Sequence, residues 1–350
     1  MRHPIIEEDL RAIAAADLPW SAFQDRCVVI SGANGFLPAY MVETLLYLNE
    51  RSPRQKTRVV GLVRNLPRAA KRFKAYAGRP DFELLAHDVT QPLPAVPRGD
   101  FVVHAAGQAS PKYFGSDPVG TLSANVLGTH HLLALARQSR AEGFLFFSSG
   151  EVYGEPLPGK KMMAETDVGI VDHMDVRSCY AESKRLGETM CLCWRRQFGV
   201  PVKILRIGHT YGPGMRLDDG RVFADFVADL VHRRPIVMKS DGSARRAFCY
   251  LADAVRGYFT VLLKGPAGEA YNVANTEAQC TILELAELLA GLFPDRRVTV
   301  VRQARDPADT YMPCKIRQAM LDISKVKALG WRPTTTLAEG FRRTVESFLP

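Results

Sequence analysis

Cys27-Val28-Val29-Ile30-Ser31-Gly32-Ala33-Asn34-Gly35 decides the fold. Cys27 to Ser31 is a continuous apolar run of the kind that fills a parallel strand covered on both faces. Gly32 to Gly35 then turns the chain into 36–49, where apolar residues at 37, 41, 42, 45, 46 and 48 keep helical spacing. Strand, glycine turn and helix follow in order. Working outward, Arg58 to Val63 reads as the next strand, with a crossover helix over 67–76. Short strands are expected at Phe82–Leu85 and Phe101–His104, a long helix from Pro118 to about Gln138, and a strand over Gly143–Phe147 ending in Ser148-Ser149-Gly150-Glu151. Tyr180 to Gln197 forms another helix and Val202 to Ile207 another strand.

Alternation of this kind predicts an α/β fold: a doubly wound parallel sheet of the Rossmann type. Beyond Ile207 the pattern loosens into Gly and Pro at 211–214 and helices near 220–233, 282–292 and 336–348. We expect a smaller, mostly helical substrate-binding lobe there. The division is then an N-terminal extension over 1–21, a dinucleotide-binding domain over 22–207 and the lobe over 208–350, with a segment near 245–275 returning to the first domain.

Composition excludes several classes. Apolar residues make up 47% of the 350 and charged residues 24%, as in a globular chain with a real core. The longest uncharged stretch, Pro118 to Ala136, carries too many polar groups to span a membrane. The first twenty residues show no basic-then-apolar leader, and the seven cysteines fit neither a paired framework nor a zinc site, so a cytoplasmic protein with reduced thiols and no metal is expected. Net charge is +9, yet residues 51–79 hold ten basic residues and no acidic one. No aromatic interleaving or recognition helix accompanies that patch, so we expect no nucleic-acid partner but a surface beside a small anionic ligand.

The chemistry starts at Gly32 and Gly35. Glycine where strand meets helix lets the backbone approach a diphosphate, and the first helical N–H groups, with Asn34, Phe36 and Leu37 around them, offer an anion site. At the end of the second strand, where an acid would grip a ribose, stands Arg64. It suits a 2′-phosphate, an adenine face or plain solvent, and leaves NAD and NADP both open. Asp88 and Val89 are placed to meet the adenine edge, and Ala105, Ala106 and Gly107 are small enough for a dinucleotide to lie close. Tyr180 and Lys184, four apart, share a helix face following the strand that ends in Ser149. A phenol becomes a usable base near neutrality only when cations favour its phenolate, and Ser149 would hold the reacting hydroxyl.

With these residues in view, the chain resembles the extended short-chain dehydrogenase/reductase superfamily, in its nucleotide-sugar epimerase, dehydratase and decarboxylase group, from about Cys27 to Phe348. The resemblance rests on Ser148-Ser149-Gly150-Glu151-Val152-Tyr153-Gly154, Arg177-Ser178-Cys179-Tyr180-Ala181-Glu182-Ser183-Lys184-Arg185, His209-Thr210-Tyr211-Gly212-Pro213 and 322–331. It implies a tightly held NAD, a nucleoside-diphosphate sugar as substrate, a transient keto-sugar and a homodimer. By the same resemblance Tyr180, Lys184 and Ser149 are catalytic, Glu151 serves the second step, and His209, Arg221 and Arg246 contact the substrate.

The similarity runs furthest to UDP-glucuronate decarboxylases, through Arg177-Ser178-Cys179-Tyr180, 218–222 and 245–250. However, the arginine those enzymes carry three residues before Asp322 is Ala319 here, with Arg317 two positions away, and the usual diphosphate-contacting asparagine is His209. The 4,6-dehydratases carry Asp-Glu where this chain has Gly150-Glu151, so the acid that protonates a departing hydroxyl is missing. A positioned Glu151 still suits removing and returning a proton beside a ketone, as in epimerisation or an unusual elimination. UDP-glucuronate decarboxylation is the alternative within the class. A non-catalytic NAD(P)-binding sensor is the alternative outside it, and the joint presence of Tyr180, Lys184 and Ser149 argues against that.

Overall fold

The computed structural model describes residues 2–52, 56–93, 98–303, 312 and 320–349. Strands β1 (Cys27–Ser31), β2 (Arg58–Val63), β3 (Phe82–Ala86), β4 (Phe101–His104) and β5 (Gly143–Ser149) lie in one parallel sheet. After the two-residue β6 (Met162–Met163), β7 (Val202–Ile207) joins the same sheet beside β5. The chain then makes β8 (His209–Tyr211), β9 (Ile236–Met238) and β10 (Arg245–Tyr250), and returns to the large sheet as β11 (Glu269–Val273), which pairs with β7. The sheet has seven strands in the order β11-β7-β5-β4-β1-β2-β3. The order reverses between β1 and β4, which opens a crevice at their carboxyl ends.

Helices α1 (Pro4–Ala14), α2 (Phe36–Arg51), α3 (Leu66–Arg72), α4 (Pro111–Ser116), α5 (Pro118–Ser139) and α6 (Cys179–Phe198) precede β7, and α7 (Val222–Val231) follows β8. Side chains alternate across each strand, so β1 sends Val28 and Ile30 into a core with Leu45, Leu46 and Tyr258. Val29 points the other way, into a core with Leu132, Leu133 and Cys191. Both faces of β1 are therefore dry, as its unbroken apolar run requires.

Local chemistry sets the ends of these helices. Asp117 caps α5 by accepting the Gly120 N–H at 3.0 Å, with Pro118 opening the helix, and α6 stops at Gly199, whose φ of +72° suits a residue without a Cβ. Beyond β10 lie α8 (Leu251–Lys264), α9 (Ile282–Leu292), α10 (Ser324–Ala328) and α11 (Leu337–Glu346). Three small sheets accompany them: β8 and β10 with β12 (Gln279–Thr281), β9 with β13 (Val300–Arg302), and β6 with β14 (Met320–Leu321). The lobe is thus helical with short strands between its helices.

The first segment is less of an appendage than the sequence suggests. Helix α1 buries Leu10 and Ile13 and packs on α2 and α8. Its buried Asp9 accepts from Tyr250 at 2.8 Å and pairs with Arg343 at 2.9 Å, fastening α1 to β10 and α11.

Candidate active site

The crevice between β1 and β4 is shaped by backbone. Gly32 has a φ of +66°, and a Cβ there would stand 2.8 Å from the Cα of Ala106. Its N–H donates to the Leu62 carbonyl at 2.9 Å, pinning the turn to the end of β2. Gly35 is the N-cap of α2, and no side chain caps the helix, so the N–H groups of Phe36 and Leu37 have no acceptor within it. Asn34 lies in the turn itself, partly exposed. On the opposite wall the Ser31 hydroxyl accepts from the N–H groups of Ala105 and Ala106, both at 3.2 Å, and lies 2.8 Å from His104 Nδ1. Burial holds His104 neutral, its pKa pushed down to about 3 with Lys184 nearby adding to the effect.

Arg64 is exposed directly after β2; the Thr90 N–H holds the Asp88 carboxyl below its ordinary range and the Gln108 amide does the same for Asp117, with the Arg64 charge a smaller contribution to both. Asp88 accepts the Thr90 N–H at 3.0 Å, while Val89 is buried with its carbonyl 2.9 Å from His131 Nδ1. His131 is occupied in that way, and neighbouring His130 is exposed against Trp194. Gly107 closes the wall toward the reacting end. A Cβ there would lie 2.8 Å from Asn125 Oδ1 and 3.7 Å from Lys184 Nζ. Asn125 Oδ1 is buried without a partner while its Nδ2 donates to Ser183 at 2.9 Å, so a polar acceptor is left over next to Gly107.

Tyr180 and Lys184 sit in the first turns of α6, both buried. The Lys184 ammonium lies 5.8 Å from the centre of the Tyr180 ring and donates to the Phe147 carbonyl at 2.6 Å. Burial lowers its pKa to about 7, against an opposing pull from Glu188 one turn further on. Glu188 itself accepts from Ser148 at 2.5 Å and pairs with Arg206 at 2.7 Å, a buried network under the floor of the site. Burial raises the Tyr180 phenol to about 12; the Ser149 hydroxyl and the Arg221 charge act to lower it, and the Glu151 charge to raise it.

Ser149 ends β5, and its hydroxyl accepts the Glu151 N–H at 3.2 Å in the short turn Gly150–Tyr153. Arg177, which opens the motif carrying Tyr180 and Lys184, holds Glu151 with both ends of its guanidinium, Nη1 to Oε2 at 3.0 Å and Nη2 to Oε1 at 3.1 Å. The same guanidinium lies 5.8 Å over the Phe114 ring, and Phe114 stacks on Tyr180 with centroids 5.0 Å apart at 18°.

Across the crevice, His209 opens β8 and Phe248 of β10 pairs with it. His209 is kept neutral by desolvation and by the charges of Arg246 and Arg221, although its ring is open to the cleft. Arg221 donates to the Ala109 carbonyl at 2.8 Å and pairs with Asp219 at 3.2 Å; Arg246 donates to the Arg245 carbonyl at 2.9 Å. Arg317 and Ala319 lie outside the described residues. Sequence reasoning missed the clamp on Glu151 by Arg177, the stacking Phe114 and the polar Asn125. Asn125 shares the buried face of α5 with Thr121 and Thr129, so its polarity did not stand out in the sequence.

From 28 to 274 the sequence matches the NAD dependent epimerase/dehydratase family. The chain belongs to that family. It is 36% identical to UDP-glucuronic acid decarboxylase 3 of Arabidopsis thaliana over 92% of this chain and 88% of that one. To UDP-glucuronic acid decarboxylase 1 of Danio rerio it is 33% identical, over 92% of this chain and 72% of the relative. Among solved structures, UDP-glucuronic acid 4-epimerase of Bacillus cereus, in complex with UDP-glucuronic acid and NAD, superposes with a TM-score of 0.76 at 23% identity over 92% and 98% of the two chains. UDP-glucose 4-epimerase of Thermotoga maritima gives 0.77 at 22% over the same shares. These structures establish the doubly wound fold.

The residues present fit the dinucleotide that the family name carries. The crevice has a backbone turn at Gly32 that a Cβ would crowd, uncapped N–H groups at the start of α2, and an unpartnered buried acceptor at Asn125 next to Gly107. Among the described residues no helix is long and apolar enough to cross a membrane, and no group of His, Cys, Asp or Glu is arranged to hold a metal.

Proposed function

We propose that this family member interconverts or modifies nucleoside-diphosphate sugars through a transient keto-sugar, within a cytoplasmic homodimer. The observation that carries the reading is the meeting of Tyr180, Ser149 and Glu151 at the carboxyl edge of β5, with Arg221 acting on Tyr180 from across the crevice. In this reading residues 22–207, with 245–275 returning to them, hold NAD through Gly32, Asn34, Gly35, Phe36, Leu37, Asp88, Val89, Ala105, Ala106 and Gly107. Residues 208–350 supply the rest of the sugar-nucleotide site. When bound there, NAD would supply the hydride acceptor, and afterwards the hydride donor, that oxidation and re-reduction of the sugar carbon require.

The chain's own residues do the remaining work. Ser149 hydrogen-bonds the reacting hydroxyl, and Tyr180, as phenolate, takes that hydroxyl's proton. Loss of that proton, together with departure of the hydride from the same carbon, makes the hydroxyl oxygen the carbonyl oxygen of the keto-sugar. The ketone acidifies the adjacent C–H, and Glu151 removes its proton and returns one to that carbon. Protonated Tyr180 then returns a proton to the oxygen. A phenol raised to about 12 holds little phenolate near neutrality; the Ser149 hydroxyl and the Arg221 charge act to lower it, and protonated Lys184, 5.8 Å from the ring centre, favours the phenolate further. Arg221 and Arg246 face the diphosphate, and neutral His209 takes the place of an asparagine as a hydrogen-bonding side chain.

A second reading, UDP-glucuronate decarboxylation, is favoured by relatives of that activity at 33–36% identity over 92% of the chain. There the ketone drives loss of the carboxyl group as carbon dioxide. One experiment separates the two: incubation with NAD and a panel of UDP-, GDP-, CDP- and dTDP-sugars, including UDP-glucuronate, in deuterated water, with products read by NMR. Solvent deuterium at a sugar carbon with the carboxylate or hydroxymethyl retained supports proton transfer by Glu151. Carbon dioxide release supports decarboxylation. Cofactor binding with every sugar unchanged would sink both and favour a sensor.

A further inference from the structure

The site holds two groups that must both be anionic to work, the Tyr180 phenolate and the Glu151 carboxylate, only a short distance apart. Neighbouring like charges oppose each other's ionisation. A closed circuit of contacts surrounds them. Tyr180 stacks on Phe114, Phe114 lies under the Arg177 guanidinium, Arg177 grips both oxygens of Glu151, and the Glu151 N–H returns to Ser149, whose hydroxyl faces Tyr180. Arg177 is itself fixed. It lies in the short turn Val176–Ser178 that leads straight into α6, its N–H held at 2.9 Å by Asp175, and it is 15% exposed.

We infer that Arg177 is a positioning residue that separates the two bases electrostatically, holding the Glu151 side chain in one orientation and masking its charge from Tyr180. Bidentate pairing suits this task because it fixes the carboxylate plane and still leaves a lone pair on each oxygen for the sugar proton. Arginine stays charged at any working pH, so the mask does not itself titrate. The other charged or titratable groups facing the pair are Arg221 from the start of α7, Lys184 on α6 with His104 and Glu188 beside it, and the Cys179 thiol, which both Arg177 and Glu151 influence. None of these touches Glu151 as Arg177 does. The inference rests on Tyr180 and Glu151 being the two bases proposed above, yet its test needs no substrate.

The test is a titration of Tyr180 in the NAD-bound full-length protein, labelled throughout with 3-fluorotyrosine to acidify the phenols, with its fluorine resonance assigned by its loss in Tyr180→Phe. Arg177→Met uncovers the Glu151 charge and should move the Tyr180 midpoint up by about one pH unit. Glu151→Gln leaves the arginine charge without its partner and should move it down. The double variant should return close to the parent, and Arg177→Lys should stay near it because the charge remains. Equal midpoints for Arg177→Met and the parent, or shifts of the same sign in both single variants, would overturn the inference. If Arg177→Met fails to fold, Glu151→Gln alone decides, since an unmoved or raised midpoint also overturns it. Failure of the sugar panel, in contrast, would count against the proposed reaction and leave the titration result standing.

Discussion

At the scale of single residues, the site works against its own burial. Lys184 is 4% exposed, and its pKa of about 7 is far below the ordinary lysine value of 10.5. A base with a depressed folded pKa destabilises the fold fully below that pKa, less as pH rises, and not at all above the unfolded value. Lys184→Met should therefore raise stability by roughly 2–4 kcal/mol below pH 7, with the gain fading toward pH 10.5, while it removes a cation that Tyr180 needs. Urea unfolding at pH 6 and pH 9 checks the sign; a gain that grows with pH would contradict the assignment. Tyr180→Phe should keep cofactor affinity and lower turnover on the sugar that the panel selects by roughly 10²–10⁴-fold, as for other lost acid–base groups. The placement of Tyr180 and Lys184 on one face of α6 and of Ser149 at the end of β5 was legible from helical spacing and the strand that precedes them. Arg177 was not, since its partner Glu151 stands 26 positions earlier and only the fold brings the two together.

At the scale of elements, the legible parts were those with a single period. Buried parallel strands announce themselves as apolar runs, and β1, β2, β5 and β7 were expected within a residue or two of where they lie. The crossover expected over 67–76 proves to be α3 followed by a separate turn over Lys74–Tyr76, because Phe73 and Tyr76 both turn inward to pack with Phe82. Helix α1 was read as an extension, although Ile6, Leu10 and Ile13 keep helical spacing; what was invisible is the surface it covers, supplied by α2 and α8 far along the chain. The Gly32 turn shows how strictly one element junction is specified. Gly32→Ala combines a φ of +66° with a contact of 2.8 Å to the Ala106 backbone. It should cost ~1–3 kcal/mol in stability. It should also push the turn off the opposite wall, so that NAD titrated against protein fluorescence binds at least tenfold more weakly. Parent-like affinity would mean that the crevice between β1 and β4 is not the dinucleotide site.

At the scale of the whole molecule, two surface features remain after the fold has used its apolar residues. One is the basic run over 51–79, much of it now placed: Arg79 pairs with Glu50 and Asp81, Arg58 with Glu83, and Arg72 reaches the Gly214 carbonyl of the lobe at 3.4 Å. Several of those charges thus hold elements together, and no separate anionic partner is needed to explain them. The other is an apolar surface on the packed helices α5 and α6, where Val119, Leu122, Leu127, Leu186 and Leu192 stand between 38% and 70% exposed. Exposed apolar side chains grouped on two neighbouring helices suit a self-complementary contact, and a two-fold pair is the commonest assembly that closes on itself. In such a dimer α6 carries Tyr180 and Lys184 on its inner side while its outer side is clamped by the partner, which ties the rigidity of the site to assembly. Light scattering at micromolar concentration should give twice the chain mass for the parent and one chain mass for Leu127→Glu combined with Leu192→Glu. The double variant should keep its helical circular dichroism and lose activity in parallel with dissociation. A parent that stays single across that concentration range would remove the dimer from the proposal and leave the catalytic assignment resting on one chain.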